Sequence, residues 1–418
     1  MDAAPAPTDP SARAAAVGPW PAVMAGLLAA AVGYASSFAI VLQGLMGAGA
    51  SPGQAASGLL VLCVVQGLVS IGFVLWLRMP VSIAWSTPGA VLLAATGPVA
   101  GGFPAAVGAF LAVGGLIIAA GLWRPFGRAV LAIPGPLASA MLAGLLLGFC
   151  IAPFKALGAA PLVALPVILV WVVVGRFARL YAATAAMAAT AAMLVLAAEG
   201  LVPSGTLGLA GIRFGGSLWP RLEWVAPLFS WSAVVSIALP LFLVTMAAQN
   251  IPGLAVLRAN GYHPPAGPLL VGTGLATLVT APFGGHAINL AAITAALCAG
   301  PDAHPDPKRR YIAGMAAGGA YIAMGVLAPA AVGLISAAPP LMIQAVAGLA
   351  LIGAFGSSLA GFLAATAERD AAVITFVATA SGFALFGIGS AFWGLAAGGA
   401  VLALQRVGGR RAAGAQRP

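Results

Sequence analysis

Apolar runs separated by short polar or Pro/Gly-rich breaks fill the 418-residue chain almost from end to end. Read between those breaks, the pattern predicts helices over 20–44, 54–77, 103–122, 129–150, 160–177 and 180–198. A second set is predicted over 228–256, 266–281, 311–333, 337–360, 371–386 and 388–405. Two further runs are too short to cross a bilayer, which takes about 20 helical residues. In the first, Trp85 to Pro98 (WSTPGAVLLAATGP), the residues Ser86, Thr87, Pro88 and Gly89 open a helix predicted over 86–96. In the second, Ala281 to Gly300 (APFGGHAINLAAITAALCAG), Pro282, Gly284 and Gly285 break the incoming helix. His286 and Asn289 then open a helix predicted over 286–298. Short helices with polar, loosened starts, set between full spans, are the pattern of a transporter binding site near the bilayer midplane.

The two broken runs lie about 205 residues apart, and the pairs Gly108/Gly314, Gly121/Gly325 and Gln43/Gln249 repeat at similar offsets. Scattered matches arise easily in a Gly/Ala-rich chain, so the paired broken runs carry the argument for a repeat. Each copy holds seven segments, and an odd number inserts the second copy upside down relative to the first. The expected fold is an all-α polytopic membrane protein of 14 transmembrane segments in two inverted 7-helix repeats, over 19–200 and 227–406. A connection over 201–226 joins them, a disordered tail covers 1–18 and a basic tail 407–418. Segments 3 and 10 are the half-helices, with Ser86 and His286 facing each other across the midplane.

Composition agrees: the chain is 62% hydrophobic and 6% charged with mean hydropathy +1.08, against about 25% charged residues in soluble proteins. The net charge of +10 suggests nucleic acid until its placement is read. With a cytoplasmic N-terminus, Arg13, Arg78, Arg124, Arg128, Arg176, Arg179, Arg258, Lys308, Arg309, Arg310, Arg369, Arg406, Arg410, Arg411 and Arg417 fall on the cytoplasmic side. Only Lys155, Arg213 and Arg221 fall outside. Fifteen against three is positive-inside topology with both termini cytoplasmic, not a nucleic-acid surface. Arg13 and the apolar run after it resemble a signal peptide, but the run is long enough to span and many spans come after it, so it is the first helix. Cys63, Cys150 and Cys298 sit singly in apolar runs without metal-ligand spacing and read as small buried hydrophobes.

All eight carboxylates lie in tails, loops or helix ends, which leaves no acid at the midplane for cation binding. The polar residues left at depth are Ser36, Ser37, Gln43, Ser86, Thr87, Gln249, Asn250, His286 and Asn289. With two half-helix N-termini supplying N–H groups and positive dipole ends, they suit an anion. Each also has a structural reading. The serines can bond back to their own helix, Gln249 and Asn250 can satisfy carbonyls freed by Pro252, and His286 can be a packed histidine. Phe38 and Phe283 are core residues or aromatic walls beside the anion site. His286 is the candidate proton carrier, because imidazole's unperturbed pKa of about 6.5 lets its charge switch near neutrality.

LPLFLVTMAAQNIPGLAVLRANGY (Leu239 to Tyr262), with APFGGHAINLAAITAALCAGPDAHPDPKRRYIAG after it, resembles the benzoate/proton symporter family of bacterial inner membranes. The resemblance covers essentially the whole chain. That family is similar to the uracil/xanthine permeases and sulfate permeases, which carry two inverted seven-helix repeats. The resemblance implies a core of spans 1–4 and 8–11 and a gate of spans 5–7 and 12–14. Where the uracil-permease relatives carry a base-binding glutamate, AAQNIPG places Gln249; it can still hydrogen-bond a carboxylate, but it cannot carry the proton.

The expectation is a secondary transporter importing benzoate or a similar aromatic monocarboxylate by proton symport. Ser36, Phe38, Ser86, Thr87, Gln249, Asn250, Phe283, His286 and Asn289 form the site, and no cofactor or metal is involved. The alternative within the fold is a permease for another small anion or a nucleobase. A membrane enzyme would need clustered acids, His or Cys. The one such cluster, Asp302, His304 and Asp306, lies among Pro301, Pro305 and Pro307 and reads as a rigid connector. A major-facilitator carrier is disfavoured, since its halves hold six spans each in parallel repeats. The partners are the bilayer, the anion and a proton, with a homodimer as an open alternative to a monomer.

Overall fold

The computed structural model describes residues 18–131, 134–203, 219 and 221–415. The tail expected before Gly18 and most of the connection expected over 201–226 lie outside the described residues. In chain order the helices are α1 (Trp20–Gly47), α2 (Pro52–Leu77), α3 (Thr87–Thr96), α4 (Gly102–Leu122), α5 (Arg124–Leu131), α6 (Gly135–Ala159), α7 (Pro161–Phe177) and α8 (Ala182–Ala198). They continue as α9 (Trp231–Ala259), α10 (Ala266–Thr280), α11 (Ile293–Ala299), α12 (Tyr311–Gly325), α13 (Ala328–Ala337), α14 (Pro340–Leu363), α15 (Arg369–Ala380) and α16 (Ser390–Ala415). Strands β1 (Ile83–Trp85) and β2 (Ile288–Leu290) pair with each other, and a small hairpin, β3 (Ala384–Leu385) with β4 (Ile388–Gly389), precedes α16.

Seven helices among the described residues, α1, α2, α4, α6, α9, α10 with the turn after it, and α14, are long and apolar enough to cross a membrane. The protein is a multi-pass membrane protein. Leu68, Leu169, Val279 and Val377 are exposed on outer helix faces, where hydrocarbon can cover them. Inside, helices approach through glycine. A β-carbon added at Gly67 of α2 would lie 2.5 Å from Gly318 O of α12, and one at Gly274 of α10 would lie 2.8 Å from Gly114 O of α4. Any side chain at these points would push the backbones apart.

Helix α6 packs along α14, α4 along α10, and α12 against both α1 and α2, while α7 lies on α8 and α15 on α16. Fewer contacts link the set α1–α4 with α9–α12 to the set α6–α8 with α14–α16.

Four sequence expectations are corrected. The segment expected as one helix over 286–298 is extended through β2, and α11 begins only at Ile293, because Gly284 takes φ +89° and β1 recruits the residues after it. The helix expected over 311–333 breaks after Gly325, where Pro329 in the first turn of α13 supplies no N–H to continue α12. The helix expected over 371–386 ends at Ala380, because Gly382 at φ +66° and Phe386 at φ +54° turn the chain into the hairpin. The span expected from residue 129 starts at Gly135, behind the separate short helix α5. In α9, π-helical turns over Val234–Ala238 and Met246–Asn250 each end two residues before a proline, Pro240 and Pro252. A proline neither bonds nor tolerates its i−4 carbonyl, and widening the turn absorbs both defects. The second widened turn carries Gln249 and Asn250.

Candidate functional site

The centre of the protein is the crossing of β1 and β2. They run antiparallel with Ile83 opposite Leu290, Ala84 opposite Asn289 and Trp85 opposite Ile288. Ala291 N donates to Ser82 O and Ser86 N to Ala287 O, both at 2.9 Å, so the ladder extends past each strand. Such extended backbone survives at membrane depth only where its polar groups are satisfied internally, and side chains complete the task. Asn250 Oδ1 accepts from Leu290 N at 2.9 Å and Thr277 Oγ1 from Ile288 N at 3.0 Å. With its amide oriented to suit its neighbours, Asn289 Oδ1 accepts from Ser86 N at 2.9 Å. Each strand then releases a half-helix, and Ser86 caps α3 by accepting from Gly89 N at 3.1 Å. Pro88, in the first turn, has no N–H to satisfy.

A cavity of about 420 Å³ lies where these half-helix starts meet α6 and α14. One wall carries Gly33, Ser36 and Ser37 of α1, Trp85, Thr87, Gln249, Thr294 and Tyr321; the opposite wall carries Leu142 and Leu146 of α6 and Gly353 and Ser357 of α14. This volume suits a small organic ligand. Trp85 and Tyr321 meet edge to face at 5.8 Å, and Tyr34 and Phe38 stack behind them at 5.1 Å. Trp85 Nε1 donates to Ser37 Oγ at 3.0 Å, and Ser37 Oγ donates to Gly33 O at 2.6 Å, which fixes the indole against the cavity. Among the described residues no carboxylate lines this cavity, and the one charged side chain that does is Arg179.

The nine residues expected in the site divide in two. Ser36, Thr87 and Gln249 line the cavity, and Gln249 is half-buried with no hydrogen-bond partner among the described residues. Ser86 lies one residue behind, its hydroxyl 2.8 Å from Thr245 Oγ1. Asn250, His286 and Asn289 are fully buried in the strand ladder and do not line the cavity. His286 is therefore not at a helix start: by strand register the residue equivalent to Ser86 in the second half is Ala291. His286 Nε2 contacts Ser86 O at 3.0 Å, its ring meets Phe110 edge-on at 6.5 Å, and Nδ1 has no partner among the described residues. Phe38 sits in the second aromatic row. Phe283 packs on Trp224 at 5.4 Å, in the 3₁₀ turn before the glycines and away from the cavity. Gln43, which the repeat offset pairs with Gln249, lines a separate cavity of about 310 Å³ with Gln344.

Sequence reading missed Trp85, Tyr321, Thr294 and Arg179 as lining residues. Tyr321 is the one large amphipathic side chain in the interior of the small-residue helix α12, whose other tyrosine, Tyr311, is its first residue, and that is a usable signal; Arg179 entered the sequence reading only for its charge side. The Asp302–His304–Asp306 connector is held by its own main chain: Asp306 N donates to His304 Nδ1 at 3.0 Å and Arg310 Nε to His304 O at 2.7 Å. Tyr262 braces it by donating to Pro307 O at 2.8 Å, and burial pushes that phenol above its ordinary pKa against the opposing pull of Arg310. Among the described residues no group of three or more His, Cys, Asp or Glu is placed to hold a metal ion.

A profile of the family described as "Benzoate membrane transport protein" matches residues 17–404. Inner membrane protein YdcO of Escherichia coli (strain K12) is 42% identical over 381 residues, covering 91% of this chain and 95% of its own. The benzoate membrane transport protein of Acinetobacter baylyi is 34% identical over 377 residues, covering 90% and 93%. Among solved structures, the transmembrane domain of a cyanobacterial bicarbonate transporter, BicA, superposes with TM-score 0.59 at 16% identity, covering 90% of this chain and 97% of that one. SLC26A9 superposes with TM-score 0.64 at 12% identity, covering 93% and 65%. At such identities these structures speak for the fold alone.

Proposed function

The chain belongs to the benzoate membrane transport family, and from that premise we propose that it imports benzoate or a similar aromatic monocarboxylate by alternating access, with a proton moving alongside. The observation that carries this reading is the 420 Å³ cavity. Trp85 and Tyr321, each almost fully buried, form an aromatic wall for a ring, Thr87 and Gln249 offer uncharged polar groups to a carboxylate, and no acid among the described residues lines the cavity to repel it, while the Ser36 hydroxyl already donates to Gly33 O at 3.2 Å.

Two inverted repeats of seven segments account for the packing. The segments are α1, α2, α3, α4, α6, α7 and α8, then α9, α10, α11, α12 with α13, α14, α15 and α16. Exchanging the halves maps α2–α12 onto α10–α4, α1–α3 onto α9–α11 and α7–α8 onto α15–α16, and leaves α6–α14 unchanged. The close glycine contacts, Gly67/Gly318 and Gly274/Gly114, exchange in the same way. The core is α1–α4 with α9–α12 and the gate is α6–α8 with α14–α16. The site lies between them, where rocking of one body against the other would expose it to each side in turn. The charge bias supports cytoplasmic termini.

His286 is the coupling group in this proposal. A carbonyl only accepts, so Nε2 carries the hydrogen toward Ser86 O and the unpartnered Nδ1 is the lone pair that takes a proton. The Ser86–Thr87 peptide links it to the cavity wall, so a bound carboxylate and a proton on His286 would each favour the other.

Equilibrium binding of labelled benzoate to purified protein, with acetate, bicarbonate and uracil as competitors, tests the substrate class. Benzoate should compete best. A site that prefers bicarbonate or uracil would instead support the small-anion or nucleobase reading.

A further inference from the structure

Arg179 stands on a one-turn 3₁₀ helix, Arg179–Tyr181, between α7 and α8. It lines the central cavity and also a larger adjoining cavity of about 670 Å³, which the two share along Ala350, Gly353 and Ser357 of α14. The adjoining cavity adds Trp171 of α7, a half-buried indole, and otherwise aliphatic and small residues. Three arginines elsewhere are engaged: Arg78 lies over the Tyr311 ring at 5.1 Å, Arg310 donates to two carbonyls, and Arg406 pairs with Glu368 at 3.5 Å. The Arg179 guanidinium has no hydrogen bond or ion pair among the described residues, and it is the one charged side chain lining the central, adjoining and Gln43 cavities.

We propose that Arg179 and Trp171 form a second binding subsite for an aromatic monocarboxylate, a staging site in the passage between the central cavity and the cytoplasm. The carboxylate meets the guanidinium, which presents paired N–H donors suited to it, and the ring lies against the indole. A guanidinium beside apolar walls also draws anions into the passage, and that attraction is screened by salt. The small residues of α14 keep the way open between the two subsites. This rests on the proposed function and on the topology that puts residues 176–183 on the cytoplasmic side.

The test compares wild type, Arg179→Gln, Arg179→Lys and Trp171→Leu in right-side-out and inside-out membrane vesicles. Half-saturation for benzoate is measured in each at low and at physiological salt. In inside-out vesicles Arg179→Gln should raise half-saturation about tenfold and flatten its salt dependence, with Arg179→Lys recovering the salt dependence but only part of the affinity. Trp171→Leu should raise half-saturation for benzoate and leave that for acetate unchanged. In right-side-out vesicles Arg179→Gln should raise half-saturation less than in inside-out vesicles, because benzoate then reaches the central cavity without first crossing the staging subsite. Equal half-saturation and equal salt dependence for Arg179→Gln and wild type from the cytoplasmic face would overturn the subsite. Failure of the wild type to move benzoate would instead strike the proposed function. The comparison of wild type with Arg179→Gln is then made with bicarbonate, where equal half-saturation in the two rejects an anion role for Arg179.

Discussion

Gln249 and Asn250 are neighbours on one widened turn of α9, yet the structure gives them opposite surroundings, and replacing each with alanine should separate binding from folding. Gln249 lines the cavity and its side chain has no hydrogen bond among the described residues, so Gln249→Ala removes no internal hydrogen bond. Losing a hydrogen bond to a charged ligand costs about 1.5–3 kcal/mol, or roughly 10- to 150-fold in benzoate affinity. Gln249→Glu should be worse, since two unit charges ~4 Å apart at an effective dielectric near 20 repel by about 4 kcal/mol. Asn250 is fully buried and holds Leu290 N at 2.9 Å. Asn250→Ala strands that buried donor at a cost of about 1–3 kcal/mol to the fold, loosens β2 and should lower the melting temperature. Labelled-benzoate binding and thermal unfolding of the purified proteins read the two effects apart. Wild-type affinity in Gln249→Ala, or wild-type melting in Asn250→Ala, would refute the division.

A β-carbon at Gly33 would collide with the Tyr321 hydroxyl and lie 3.1 Å from Thr294 Cγ2. Gly33→Ala should therefore push Tyr321 into the cavity and weaken benzoate binding about tenfold more than acetate binding, read by competition. His286→Gln keeps a donor for Ser86 O but cannot switch charge, so it should bind benzoate and lose accumulation driven by a pH gradient; wild-type accumulation would make His286 structural. A single cysteine placed at Lys308 should react with membrane-impermeant maleimide only after the cells are opened, and labelling of intact cells would reverse the proposed topology.

Much of the architecture is readable from sequence because the bilayer imposes it: spans must be long and apolar, and breaks show as Pro, Gly or polar clusters. Thus Ser86 is both the expected and the observed start of the first half-helix. The start of the second half-helix is not readable in the same way, because Gly284 and Gly285 mark the end of one element without specifying the next. Ile288-Asn289-Leu290 becomes a strand only because Ile83-Ala84-Trp85, about 205 residues away, is there to pair with it. The same long-range pairing takes His286 and Asn289 out of the cavity wall and into the ladder. The π-helical turns arise from Pro240 and Pro252, but their width depends on the packing around them. Arg179 and Tyr321 enter the site only through tertiary apposition, which periodicity does not encode. The three cysteines are buried and form no disulfide, as their apolar surroundings suggest.

The central claim is that this cavity serves inward, proton-driven movement of an aromatic carboxylate. Uptake of labelled benzoate into proteoliposomes, with and without an imposed pH gradient, tests it most directly. With the lumen alkaline relative to the outside, benzoate should accumulate above its external concentration beyond what protein-free liposomes show, and a protonophore should abolish the excess. Protein-dependent uptake that only equilibrates benzoate and ignores the gradient would contradict proton coupling, and uptake no greater than in protein-free liposomes would contradict benzoate transport itself.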